Sequence, residues 1–243
     1  MKKLVFLLCL ALTSSFTTFA QSYKEGNLFG FTVNAGSGQF ANALSWSHYH
    51  GIGKSKRIKV GYGIRLTNHF GSDLDYVTAP AKYTSGHESI VALFSDDIIK
   101  NFDTVRFSSP QFNFLNLGIY LAYTPPILKN KLDLGVNIDA VGFSFGASQV
   151  GKYNNSQSVT ARPTTLNALL VSDSDYGSLN SEWYVRYWLN NRWAIKGGYE
   201  FLFTEYTTDS KVQAIPGSSD RNDRFRNKAR MVMFGIEFAP FRK

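Results

Sequence analysis

The stretch Arg57-Ile58-Lys59-Val60-Gly61-Tyr62-Gly63-Ile64-Arg65-Leu66-Thr67 sets Ile58, Val60, Tyr62, Ile64 and Leu66 on one face and Lys59, Gly61, Gly63, Arg65 and Thr67 on the other. Strict alternation over such a length predicts a β-strand with two unlike faces. In a water-soluble sheet the charged face would simply be wet. The rest of the chain predicts the reverse, with the apolar face outward and Lys59 and Arg65 enclosed.

Eight segments alternate in this way, at roughly 26–36, 39–50, 57–70, 111–124, 131–146, 179–189, 192–207 and 227–241. Most exceed the ~9–11 residues a tilted strand needs to cross a bilayer. The links 51–56, 125–130 and 190–191 are short, whereas 71–110, 147–178 and 208–226 are long. Only the first link, Ser37-Gly38, breaks the alternation of short and long. With the amino terminus in the periplasm, the three long links all fall outside, the asymmetry of transmembrane barrels. The expected fold is all-β, an eight-stranded antiparallel up-and-down transmembrane β-barrel with its lumen plugged by side chains. Alternation alone does not tell lipid from a protein core, so a soluble sandwich is the alternative.

The faces sort accordingly. Phe29, Phe31 and Val33, Leu115 to Tyr123 at odd positions, Leu132 to Ile138 at even positions, Trp183, Val185, Tyr187, then Trp193, Ile195, Tyr199, Phe201 and Phe203, and Val232, Phe234, Ile236 and Phe238 are expected outside. Lys59, Arg65, Asn116, Tyr120, Asp133, Asn137, Asp139, Glu182, Arg186, Lys196, Glu200 and Glu237 are expected in the lumen, with glycines between them. Two segments resist. Phe40 to His50 alternates poorly, and the fifth segment changes parity after Ala140, where Val141, Phe143 and Phe145 take over the outward face. A β-bulge would produce that change.

Met1-Lys2-Lys3, the apolar run Leu4 to Leu12 and the small residues ending at Ala20 follow the order of a secretory signal peptide. Residues 1–20 are expected to be cleaved, leaving 21–243 as the barrel domain. Cys9, the single cysteine, would leave with the leader, and disulfides, thiol catalysis and cysteine-ligated metals go with it. Without Lys2 and Lys3, 24 of the 26 basic residues remain against 18 acids, a net +6. That charge is too diffuse to argue for nucleic acid. The roughly 220 remaining residues suit one all-β domain.

An eight-stranded interior is just wide enough to be filled by side chains. The lumen set holds five acids, Asp133, Asp139, Glu182, Glu200 and Glu237, and four bases, Lys59, Arg65, Arg186 and Lys196. Opposite charges in so narrow a space should pair into a plug, with a proton- or ion-conducting lumen as the sharper alternative. The glycines leave room for Arg and Tyr from neighbouring strands.

The leader, the eight segments, the outward aromatics and the closing strand Ala229-Arg-Met-Val-Met-Phe-Gly-Ile-Glu-Phe-Ala-Pro-Phe241 resemble the small outer-membrane β-barrel family of the OmpA/OmpX type, in versions with long surface loops. Arg242-Lys243 follow Phe241, unlike the family's usual terminal Phe. The resemblance implies outer-membrane location and surface roles such as adhesion, host interaction or envelope stability. Some small barrels are lipid-modifying acyl hydrolases or acyltransferases, so residues near the outer rim matter. His69, Ser72 and the acids Asp73 and Asp75 supply the types a serine nucleophile needs, at a spacing that matches no motif. His48 and His50 share one face and can grip a metal with an acid from a neighbour, or serve in an interfacial belt beside Trp46 and Tyr49. His87 and Glu88 stand in a long loop and carry no signal alone.

Arg221, Arg224, Arg226, Lys228 and Arg230 concentrate five bases at the last strand's entry, where Arg can bind lipopolysaccharide phosphates. Loops 71–110 and 147–178 offer surfaces to a protein partner, and Ser95 to Phe102 predicts a short helix over the mouth. No cofactor and no metal are expected. The functional expectation is a structural or interaction protein of the envelope; the rivals are a lipid-modifying enzyme, a small-solute channel, and an accessory barrel of a secretion or assembly complex.

Overall fold

The structure, a computed structural model, describes residues 26–36, 38–87, 90–170 and 175–240. The predicted leader, Glu88 and the terminal Phe241-Arg242-Lys243 lie outside the described residues. No helix among them is long and apolar enough to cross a membrane.

Fifteen strands form among the described residues: β1 (Gly26–Gly36), β2 (Gln39–Ile52), β3 (Ile58–Gly71), β4 (Leu74–Thr78), β5 (Thr104–Phe107), β6 (Gln111–Tyr123), β7 (Leu132–Phe145) and β8 (Gln149–Tyr153). They continue as β9 (Gln157–Pro163), β10 (Leu166–Ala168), β11 (Leu179–Trp188), β12 (Trp193–Thr208), β13 (Gln213–Ala214), β14 (Arg221–Asn222) and β15 (Arg224–Phe238). The eight long ones are β1, β2, β3, β6, β7, β11, β12 and β15, and they match the eight alternating segments to within a few residues at each end. Each pairs antiparallel with the next, and β15 returns to β1, so their ladders make a closed circuit. Closure leaves no sheet edge unpaired.

The expected count of eight strands is corrected by the other seven, which lie in the segments read as connecting loops. Six strands make a second circuit at the loop end: β12 pairs with β15, β15 with β4, β4 with β5, β5 with β8, β8 with β9, and β9 with β12. Strands β12 and β15 belong to both circuits because they run past the end of their neighbours. Leu74, Tyr76, Val105, Phe107, Val159, Tyr206 and Phe225 point into this second circuit and join Phe112 and Phe114 in one buried core. Phe107 stacks on Tyr206 with ring centroids 4.4 Å apart, and Tyr76 meets Phe107 edge-on at 5.3 Å.

The outer wall of the long strands is apolar and bare: Phe29, Phe31, Tyr62, Leu117, Ile119, Trp183, Val185, Tyr199, Phe234 and Ile236 are all exposed. Soluble monomers rarely expose a contiguous apolar patch larger than a few hundred Å².

Both irregular segments have a physical reason. In β6–β7, Leu117 pairs with Val141 and Gly118 with Asp139, which leaves Ala140 as the extra residue of a bulge. Ile138 and Val141 therefore both face out while Asp139 stays in. Deleting Ala140 restores plain alternation with every face preserved, so the variant is expected to keep the heat-dependent gel shift of a folded barrel. Deleting Val136 instead drives Asp133 to the outer face, since a one-residue slip inverts a strand, and the shift should be lost. Strand β2 pairs regularly throughout, from Gln39 opposite Gly71 to Ile52 opposite Ile58. Its hydropathy misleads because the inner face carries small Ala41, Ala43, Ser45 and Ser47 while Asn42, His48 and His50 face out.

The helix expected over Ser95 to Phe102 does not form. A four-residue helix, α1 (Ala81–Thr84), starts after Pro80 instead, and 3₁₀ turns occupy Ile90–Phe94 and Ile99–Asn101. Residues 96–98 between those turns have no regular structure.

Candidate functional site

All nine charged residues expected in the lumen are buried there. Eight of them form one unbroken chain of alternating sign. Lys59 Nζ lies 2.8 Å from Asp133, whose second oxygen is 3.4 Å from Arg186 Nη1. Arg186 Nε donates to Glu237, and Lys196 Nζ lies 3.7 Å from the other Glu237 oxygen and 2.7 Å from Glu182. Arg65 then bridges Glu182 at 2.7 Å and Asp139 at 2.9 Å. The ninth, Glu200, is not in the chain.

Neutral donors add to the pairing of the chain's two aspartates. Asp133 accepts from Thr124 Oγ1 at 2.6 Å and Trp188 Nε1 at 2.9 Å; Asp139 accepts from Asn116 at 2.8 Å and the Asn180 backbone N–H at 3.1 Å. Arg186 lies over the rings of Tyr49, Tyr184 and Trp188. Glycine makes this packing possible: a Cβ at Gly135 would stand 2.2 Å from the Tyr184 ring. The lumen is closed above by the aromatic core of the second circuit. Leu28, Tyr49, Trp188 and Ala239 close it at the turn end.

The five bases near the last strand are not gathered in one patch. Arg226 is buried, and both it and Arg224 donate to Glu205, at 2.9 and 2.7 Å. The cause is register: Glu205 on β12 stands opposite Arg226 on β15, and the segment around Asp175 and Tyr176 covers the pair. Arg224 and Arg226 both donate to the Asp175 carbonyl, and Arg224 lies 3.5 Å from the Tyr176 ring centroid. Lys228 and Arg230 remain exposed on the outer wall, Lys228 5.6 Å from the Phe203 ring.

Arg221 belongs to a different feature. At the tip of the loop end, helix α1 and the segments 211–214 and 221–224 enclose a cleft of about 570 Å³, lined by Lys82, Tyr83, Lys211, Arg221, Asn222 and Arg224, with Asp223 as its one acid. Lys82 lies 3.7 Å from Asp220, and Arg221 donates to the Lys211 and Val212 carbonyls at 2.8 and 3.4 Å. Beside the cleft the Tyr153 hydroxyl bonds Asp103, and burial followed by that bond pushes the phenol up. On the outer face of β4 and β5, Arg106 grips Asp73 with two hydrogen bonds of 2.7 and 2.6 Å and holds that carboxyl below its usual range.

The hydrolase arrangement does not assemble. His69 is buried in the lumen with Nε2 2.9 Å from Gln39 Oε1, whereas Ser72 is exposed and Asp73 and Asp75 face Arg106. His48 and His50 are neighbours on the outer wall, ring centroids 4.6 Å apart, with Tyr62 beside them and Asn27 2.9 Å from His48 Nδ1. Among the described residues no three His, Cys, Asp or Glu side chains group as metal ligands. His87 is exposed at the tip.

Sequence reasoning missed Glu205, the cleft residues Lys82, Tyr83 and Lys211, and the capping core. The available signals were the short alternating runs Leu74 to Val77 and Val105 to Phe107.

No family model matches the chain, and no curated protein matches it. Among solved structures, neisserial surface protein A is similar at 7% identity, over 87% of this chain and 93% of that one, with a TM-score of 0.35. A major outer membrane protein from Thermus thermophilus is similar at 13% identity over 88% and 99%, TM-score 0.36. A Pseudomonas aeruginosa FadL homologue is similar at 9% identity over 82% and 66%, TM-score 0.21.

Proposed function

We propose that the chain is an outer-membrane β-barrel protein of the bacterial envelope, its eight long strands crossing the bilayer, that acts at the cell surface through its folded loop end. The bare apolar wall around an enclosed charge chain supports the membrane reading, because lipid is the medium that such a wall requires. The leader of residues 1–20 supports export. Lumen closure at both ends supports a non-conducting barrel.

The observation that carries the surface role is the tip cleft. Its lining carries four cations, Lys82, Lys211, Arg221 and Arg224, to one acid, Asp223, with Lys82 also reaching Asp220, Arg224 also held by Glu205, and the Tyr83 ring under Lys82. Concave, cationic and partly aromatic, it suits an anionic saccharide bearing phosphate, sulfate or carboxylate groups. Lys228 and Arg230, on the wall above Val232 and Phe234, stand where lipopolysaccharide phosphates would meet the rim.

Isothermal titration of refolded, lipopolysaccharide-free protein with a heparin-derived tetrasaccharide tests the cleft. Binding should weaken with salt, and the double variant Lys211→Gln/Arg221→Gln should weaken it at least about tenfold, as loss of two charge-assisted contacts implies. Lys54→Gln/Lys56→Gln, at the opposite end, should bind like the parent. Equal loss in both variants, or no binding to the parent, would refute the assignment.

A further inference from the structure

The lumen chain uses four acids and four bases, and one buried acid is left over. Glu200 on β12 is 0% exposed, and neither carboxylate oxygen has a hydrogen-bond donor among the described residues. Across the ladder it stands directly opposite Glu182 on β11, and on its other side β15 sets Met231. The charged groups facing it are Glu182, Arg65 on β3, Asp139 on β7 and Lys196 on its own strand. Both cations pair with other acids, Arg65 with Glu182 and Asp139 and Lys196 with Glu182 at 2.7 Å, and although Arg65 Nε and Nη1 have no hydrogen-bond acceptor among the described residues, neither cation donates to Glu200.

Like charges directly opposed in a ladder destabilise it, and a carboxylate taken out of water with no partner is costlier still. The eight-membered chain is already neutral, so a bare Glu200 would leave the lumen with one uncompensated negative charge. Two neutral oxygens lie around its ladder partner Glu182. Asn137 opposes Glu182 from β7, Asn180 precedes it on β11, and each keeps a side-chain carbonyl oxygen without a donor among the described residues.

We infer that Glu200 is a binding site for a single positive charge in the lumen, filled by a proton or by a small monovalent cation. The site completes the charge balance of the plug and is independent of the tip cleft. It also accounts for the odd acid: the fifth carboxylate needs no fifth base.

Infrared spectra of the detergent-folded protein at neutral pH separate the two occupants. A proton at Glu200 gives the carbonyl stretch of a protonated carboxylic acid in sodium- and potassium-free buffer, and Glu200→Gln removes it. An alkali cation gives no such band; instead sodium or potassium chloride raises the unfolding temperature over choline chloride of equal ionic strength, and Glu200→Gln abolishes that rise. With either occupant, Glu200→Gln should unfold no lower than the parent, whereas Glu182→Gln, which breaks the chain, should unfold lower. The inference is overturned if the parent shows neither the acid band nor the cation effect, a result that needs no variant to fold. It is equally overturned if Glu200→Gln lowers the unfolding temperature as far as Glu182→Gln.

Discussion

Arg65→Met is expected to lose about 3–5 kcal/mol of barrel stability, the usual consequence of stranding buried partners of a removed charge. Arg65 is 1% exposed and, among the described residues, is the only link between Asp139 and the rest of the charge chain. Methionine matches much of its length but none of its donors, so Asp139 and Glu182 would each lose a cation within 2.9 Å. The effect should appear as a lowered urea midpoint for unfolding from lipid vesicles. Restoring neutrality, with Asp139→Asn added to Arg65→Met, should recover part of the loss, because the cost lies in the unpaired charges rather than in the missing bonds. An unchanged midpoint in Arg65→Met would mean that the chain contributes nothing to the fold.

Phe107→Ala should act on the other circuit. Phe107 is fully buried between Tyr206 and Tyr76, and truncating such a ring typically costs about 3–5 kcal/mol. Phe107 sits on β5, which belongs to the six-strand circuit alone, so the expected result is local opening: faster proteolysis of residues 71–110 and 147–163 while the heat-dependent gel shift of the barrel persists. Loss of the gel shift together with the loops would show that the two circuits unfold as one unit.

The two circuits were unequally legible in the sequence. A long strand with an apolar wall on one side and enclosed charges on the other writes its register in hydropathy, and the alternation of Ile58 to Leu66 against Lys59 and Arg65 gives the two faces directly. Ala140 was legible for the same reason, since a bulge in such a strand exchanges the faces visibly. Strand β2 was not, because Ala and Ser on an inner face look no more polar than His and Asn on an outer one. The capping strands were not either. Val105-Arg106-Phe107 alternates, but a run so short does not differ from a loop until its partners on β4 and β8 are known.

The sites divide along the same line. Inward placement of all nine lumen charges followed from parity alone. Which acid would be left without a base depended on side-chain reach across the lumen, which parity does not encode. Arg224 and Arg226 looked like rim cations because the acid that claims them is 19 and 21 residues away. Counting the β12–β15 hairpin back from its turn would have brought Glu205 beside them. The cleft lay beyond sequence altogether, since its walls come from separate loops whose meeting is a product of the second circuit.

That β12 and β15 serve both circuits has a consequence for assembly. Neither ring can shut before this last hairpin docks: the first lacks its closure onto β1, and the second lacks two of its six staves. The tip cleft, built from residues 80–83 and 211–224, is therefore a late product of biogenesis. A molecule stalled with its final hairpin undocked would display neither a sealed lumen nor a finished tip cleft.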